Sequence, residues 1–235
     1  MQYQGGKERL SGKIVPILQE AASGSAYWEP FCGACSVISK VNARVKIASD
    51  SHKQLIILWA ALQDGWTPPD FVTEDLYNRL RKDKDTSLDP LTAFVGFGCG
   101  FMGRYFEGFC RDAKGSNYAL RAKRSLLKKL KGLRDTTFLW AGYGDNRFKA
   151  YPRKIIYCDP PYKGTKPYGG VAFDHAKFYN WCREMVSKGD RVFVSGYTEP
   201  TVEFKTVSEF PLKKACNGDG AQSILKMERL FEIKG

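Results

Sequence analysis

A chain of 235 residues, 43% of them hydrophobic, can bury a full core, which suits one domain or one domain carrying a sizeable insertion. No run of about 18 apolar residues appears, so no membrane span is expected, and the polar, Gly-rich stretch Met1 to Leu10 lacks the apolar run of a signal peptide. Seven scattered cysteines, an odd number in apolar text, argue for reduced thiols and a cytoplasmic setting, while a formal charge of +12 argues for a polyanionic partner.

From Lys7 to about Ala22, apolar residues at Leu10, Ile14, Ile17 and Leu18 have the spacing of an amphipathic helix. Ala26 to Glu29 reads as a short strand that runs into the turn Pro30-Phe31-Cys32-Gly33-Ala34, and a helix from Ser36 to about Ala43 is expected after it. Arg44 to Ser49 alternates like a strand and ends on Asp50; a helix from Ser51 through Leu62 follows, and Gly65 to Pro69 breaks it. This is β-α-β-α text, which predicts a sheet covered by helices on both faces.

Between about Thr67 and Ala150 the character changes. Helical pieces at Glu74–Lys82, Asp89–Phe97 and Tyr118–Leu130 surround a Gly- and aromatic-rich stretch from Gly96 to Phe109. Strand text resumes at Lys154–Cys158, followed by a helix at His175–Ser187 and strands at Arg191–Ser195, Glu203–Phe210 and Ile224–Ile233. The predicted architecture is one α/β domain formed by residues 1–66 and 151–235, with a mostly helical insertion at 67–150.

Asp159-Pro160-Pro161-Tyr162, directly after a buried strand, carries the strongest chemical signal. Ligands collect beyond the carboxyl ends of strands in an open α/β sheet. A carboxylate there accepts a hydrogen bond from an amino group. Two consecutive prolines hold the backbone rigid, so that a carbonyl can be aimed at a second amino proton. Tyr162 can stack on a flat base. An aromatic amine is a poor nucleophile because its lone pair is delocalised, and accepting both of its protons frees that lone pair for attack on a methyl sulfonium. A rigid turn with an exposed Tyr is the plainer reading of the same four residues.

Glu29 to Ser36 is a tight small-residue turn of the kind that lets a ligand approach backbone closely. It lacks the GxGxxG spacing of dinucleotide binders, which disfavours a nicotinamide dehydrogenase, and no phosphate-binding Lys follows as in a P-loop. Asp50, about 20 residues on, stands where an acidic side chain can hold ribose hydroxyls. Cys32 and Cys35 formally match CxxC, but a single such pair with only His52 and His175 as histidines argues against a metal site.

The order Tyr3-Gln4-Gly5-Gly6-Lys7, then Glu29-Pro30-Phe31-Cys32-Gly33-Ala34-Cys35-Ser36, then Asp50, then Asp159-Pro160-Pro161-Tyr162 resembles the Dam-type adenine-specific DNA methyltransferases of bacteria and phages, over the two outer thirds of the chain. The resemblance implies a Rossmann-like fold, S-adenosylmethionine as methyl donor, double-stranded DNA as partner and adenine N6 as target. Asp159, Pro160, Pro161 and Tyr162 would be catalytic. Tyr3, Lys7, Glu29, Pro30, Phe31, Gly33, Asp50 and Asp159 would line the cofactor site. Phe173 would flank the flipped base, and Val192 to Tyr197 resembles the strand and loop after the catalytic helix. Cys35 stands where the family's turn has Gly, and His52 where it has Asn; a surface or capping role fits His52.

Methylating a base in a duplex requires flipping it out, so the insertion is the natural DNA-recognition region. From Arg111 to Asp135 the chain carries nine Lys/Arg against two Asp. Arg111, Lys114, Arg121, Lys123, Arg124, Lys128 and Lys129 suit phosphate contacts, although a solvated helix face would look the same. Arg104, Tyr105 and Phe106 lie on a Gly-flanked loop suited to a groove or to wedging between bases, whereas Phe101 and Phe109 read equally well as core. A monomer or weak dimer is expected. The alternatives are an amino-methyltransferase on RNA adenine or on cytosine N4, and an inactive DNA-binding module; Asp159, where Ser is commoner in cytosine enzymes, favours adenine.

Overall fold

The computed structural model describes residues 1–22, 24–145, 147–148, 153–163, 172–198, 200–213 and 225–234. Among them run helices α1 (Ser11–Ala21), α2 (Lys53–Gln63), α3 (Glu74–Arg81), α4 (Pro90–Gly98), α5 (Tyr118–Leu130) and α6 (His175–Ser187). The strands are β1 (Ala26–Glu29), β2 (Val45–Asp50), β3 (Thr136–Trp140), β4 (Ile155–Cys158), β5 (Arg191–Gly196), β6 (Phe204–Lys213) and β7 (Leu225–Ile233). They form one seven-stranded sheet in the order β3-β2-β1-β4-β5-β7-β6, parallel from β3 to β5, with β7 antiparallel to both β5 and β6.

Both faces of the sheet are apolar, and the strand period of two distributes side chains between two cores. Tyr27, Ile155, Tyr157 and Phe193 join the core of Ile14, Leu18, Leu55 and Trp59. Trp28, Ile156, Cys158, Val192 and Val194 join Phe178, Trp181 and Phe231 on the other face. The insertion has no core of its own among the described residues: Tyr77, Phe94, Phe97 and Phe106 belong to the first cluster. Side chains cap α3 to α6. Thr73 accepts from Leu76 N, Asp89 from Leu91 N, Asn117 from Leu120 N and Asp174 from Lys177 N.

Two stretches differ from the sequence reading. Residues 36–40 form turns and 41–43 carry no regular structure, so the helix expected at Ser36–Ala43 is absent. Gly33 and Cys35 both take left-handed backbone (φ 46° and 51°), and β-branched Val37, Ile38 and Val41 are all buried. The segment is fixed by tertiary contacts. The second difference is β3, which lies inside the 67–150 insertion of the sequence reading yet pairs with β2 from Lys46↔Thr136 to Asp50↔Trp140. Four half-buried or exposed positions in its Thr-Thr-Phe-Leu-Trp text blur the alternation of a strand.

Candidate active site

The carboxyl edge of the sheet gathers the short segments that the sequence singled out. β1 ends on Glu29, β2 on Asp50, and β4 on Cys158 just before Asp159. Strand order reverses between β1 and β4, and an open sheet binds ligands at such a switch point. Glu29 and Asp159 therefore flank the crevice.

The N-terminal segment closes over it. The Tyr3 ring lies on Gly33, so near that a Cβ there would come within 2.8 Å of it; only Gly fits. Four residues on, Lys7 is 7% exposed, and its Nζ lies 2.6 Å from both Asp159 oxygens and 3.3 Å from Glu228 Oε1. Burial alone would lower the Lys7 pKa, but Asp159 and Glu228 outweigh it and raise the value. The Tyr162 hydroxyl lies 2.6 Å from Glu228 Oε1 and 3.0 Å from Asp159 Oδ1, and its ring meets Tyr197 edge-on at 4.5 Å. Removing one member of such a buried ion pair typically costs about 3–5 kcal/mol.

Glu29 is 3% exposed and accepts the Tyr27 hydroxyl at 2.7 Å. Burial pushes its pKa to about 8, against an ordinary 4.5. Asp50 Oδ2 accepts Gly33 N–H at 3.0 Å and Oδ1 accepts His52 N–H at 2.9 Å, while burial lifts its pKa to about 6. A carboxylate oxygen has two acceptor sites, so Asp50 retains capacity for a diol. Trp140, at the end of β3, is 57% exposed beside it and donates to Ser51 O. Pro30 is buried, and Phe31 packs with Tyr143, Phe173 and Phe178, which places Phe173 in an aromatic cluster. Cys35 sits in a buried left-handed position that favours Gly, at a cost of about 1–2 kcal/mol. His52 packs edge-on against Phe97 and Tyr105 and makes no side-chain cap on α2, so packing replaces its expected surface or capping role.

The basic run divides. Arg121, Arg124 and Lys128 are exposed at helical spacing along one face of α5, and Arg111 and Lys114 are exposed before it, Arg111 paired with Glu74. Lys123 is half-buried on Asp70 at 2.7 Å. Lys129 is no DNA contact in this structure: it is 6% exposed, donates to Ala34 O and Ser36 Oγ, and pairs with Glu8, so it anchors the turn after β1. The 96–109 loop also reverses its expected roles. Phe106 is 2% exposed, and the half-buried Tyr105 donates to Lys84 O and packs on Phe97, so neither is placed to enter DNA. Phe101 and Met102 are the loop's exposed large apolar residues, at 54% and 51%. Arg104 is half-buried and paired with Glu107.

Sequence reasoning passed over Glu228 and Trp140, and named Tyr197 only as the end of the loop after β5. Glu228 had no clear signal: its alternation phase in β7 carries Lys226, Leu230 and Glu232, while the apolar Met227, Phe231 and Ile233 fall on the other.

Fold and edge together define a Rossmann-like α/β domain of the methyltransferase fold: this strand order with β7 reversed, and acidic residues ending β1 and β2 around a small-residue turn. Within that class, residues 3–95 match the family model described as D12 class N6 adenine-specific DNA methyltransferase. Over 182 residues the chain is 26% identical to the DNA adenine methylases of Vibrio cholerae and Salmonella typhi and 25% identical to that of Escherichia coli K12, covering 69% of this chain and 64% of each relative. Residues 3–95 are thus similar to the D12-class adenine-specific DNA methyltransferases, and the chain spans just under two thirds of the length of the relatives it matches. Among solved structures it is similar to the rRNA methyltransferase aviRa of Streptomyces viridochromogenes, with a TM-score of 0.46 and 14% identity over 98% of this chain and 86% of that one. It is also similar to precorrin-6y C5,15-methyltransferase of Geobacter metallireducens, with a TM-score of 0.41 and 8% identity over 94% and 88%.

Proposed function

We propose that this protein transfers a methyl group from S-adenosylmethionine to the N6 amino group of adenine in duplex DNA. The observation that carries the reading is the placing of Asp159 at the β1/β4 switch point, directly on Lys7 and Tyr162. The donor set fits the cofactor: Glu29, whose raised pKa a bound ammonium would lower, suits the cofactor's amino group, Asp50 suits a ribose diol, and the Tyr3–Gly33 contact forms a cradle with no room for a Cβ. Pro30 and Phe31 complete that wall. When bound, S-adenosylmethionine supplies an electrophilic methyl sulfonium.

The chain's own residues then act on the base. Asp159 accepts a hydrogen bond from one amino N–H, and a carbonyl of the Pro160-Pro161 pair accepts one from the other; this draws the nitrogen toward tetrahedral geometry and localises its lone pair, and the methylated nitrogen then sheds one proton. Beside them, Pro160, Pro161, Tyr162, His175, Tyr197 and Phe231 line a cleft of ≈ 390 Å³ of open space, which we take as the pocket for the flipped base. The exposed Arg121, Arg124 and Lys128, with Arg111 and Lys114, grip phosphates. Phe101 and Met102, next to Arg104, form the apolar tip that meets the bases. Expression in a bacterial host without adenine methylation, followed by single-molecule sequencing of its DNA, tests this. N6-methyladenine in a defined sequence context is the expected result, and unmodified DNA or modified cytosine contradicts it.

A further inference from the structure

Lys7 occupies both features of the site that a target base needs. Its ammonium bridges the two Asp159 oxygens and lies over the Tyr162 ring, 5.0 Å from the centroid. With the ammonium on both oxygens and the Tyr162 hydroxyl on Oδ1, three of the roughly four acceptor sites of Asp159 are taken, and a ring face under a cation is not open for stacking. The ammonium must therefore withdraw before the base can bind. A buried cation withdraws only to another anion.

One anion is in reach. Glu228 Oε1 stands 3.3 Å from Lys7 Nζ, on a β7 side chain only 5% exposed, and it already contacts the Tyr162 hydroxyl. That hydroxyl is within hydrogen-bond distance of both carboxylates but has one proton, so it can donate to only one of them at a time. The two donors and two carboxylates can exchange partners without any proton changing its owner.

We infer that Glu228 is a positioning residue for methyl transfer: it takes over the Lys7 ammonium as the target base arrives, while the Tyr162 hydroxyl turns from Glu228 to Asp159 Oδ1 and leaves Oδ2 for the amino group. The inference rests on the amino-methyltransferase reading above. The handover exchanges hydrogen bonds only, and no proton is transferred in it.

The test is Glu228→Gln, which keeps the shape and an acceptor for Tyr162 but removes the charge that draws Lys7 away. The expected result is a kcat about tenfold or more below wild type, with S-adenosylmethionine affinity within about twofold and part of the loss recovered by Glu228→Asp. In a structure of the wild-type protein with duplex DNA and an unreactive amine analogue of the methyl donor, Lys7 Nζ lies on Glu228 and off Asp159. A folded Glu228→Gln protein with kcat within about twofold of wild type overturns the inference. So does a ternary complex in which Lys7 stays on Asp159 or sits on the cofactor carboxylate, and that complex decides alone should the variant not fold. An active wild type with an unaffected variant defeats the handover only. A wild type that methylates no DNA defeats the functional reading and the handover with it.

Discussion

The carboxyl edge of the sheet and the basic face of the insertion are both rich in charge and use it in opposite ways. At the edge, Lys7, Glu29, Asp50 and Glu228 are buried, and each has named partners. On α5, Arg121, Arg124 and Lys128 point into solvent. Lys128 and Lys129 show the contrast over one peptide bond. The first belongs to the exposed stripe, and the second reaches back to Ala34 and Ser36 and holds the turn after β1. Charge at the edge stabilises one geometry, whereas charge on the stripe acts at a distance and is screened by salt.

The sharpest way to break that contrast is through Glu29. Between pH 4.5 and about 8 the folded protein holds on Glu29 a proton that the unfolded chain has released, so stability falls as pH rises through this window. Denaturant unfolding should show wild type losing about 3–5 kcal/mol across the window, and Glu29→Gln flattening most of that slope. An unchanged slope would mean that Glu29 is ionised in the folded protein.

Next in size is Lys129→Met, which leaves Ala34 O and Ser36 Oγ without their donor. It should cost about 2–4 kcal/mol of stability and leave the salt dependence of DNA binding as in wild type. A variant with wild-type stability but a reduced salt slope would return Lys129 to the DNA face. Replacing Arg121, Arg124 and Lys128 together by Gln should do the reverse. Stability should stay within about 0.5 kcal/mol of wild type, and the slope of log affinity against log salt should fall by about 0.9 for each phosphate that the variant no longer neutralises. Equal DNA affinity at two salt concentrations would make the stripe a plain solvated face.

Much of the framework was legible in the sequence because periodicity and capping are local. α6 runs over the residues read from its pattern, and β4 and β5 follow their apolar runs to within a residue. The four motifs that the sequence placed in order do converge on one edge. The rest was illegible because long-range contacts decide it. Residues 36–43 carry helix-compatible text, but the Gly33 and Cys35 backbone and the Lys129 anchor hold 36–40 in turns. Phe101 and Phe106 have equal local claims to the core; packing on Tyr77 puts Phe106 inside. Lys129 was partly readable: it shares the phase of buried Ala122 and Leu126, where a lysine must find a partner.

The central claim is that Asp159 at the switch point activates an adenine amine for methylation. Its most direct test is incorporation of tritiated methyl from S-adenosylmethionine into unmethylated duplex DNA by wild type and by Asp159→Ala. The expected result is label on adenine N6 with wild type and a loss of at least about a thousandfold with the variant. Label in RNA alone, no label with any nucleic acid, or an Asp159→Ala protein as active as wild type would contradict it.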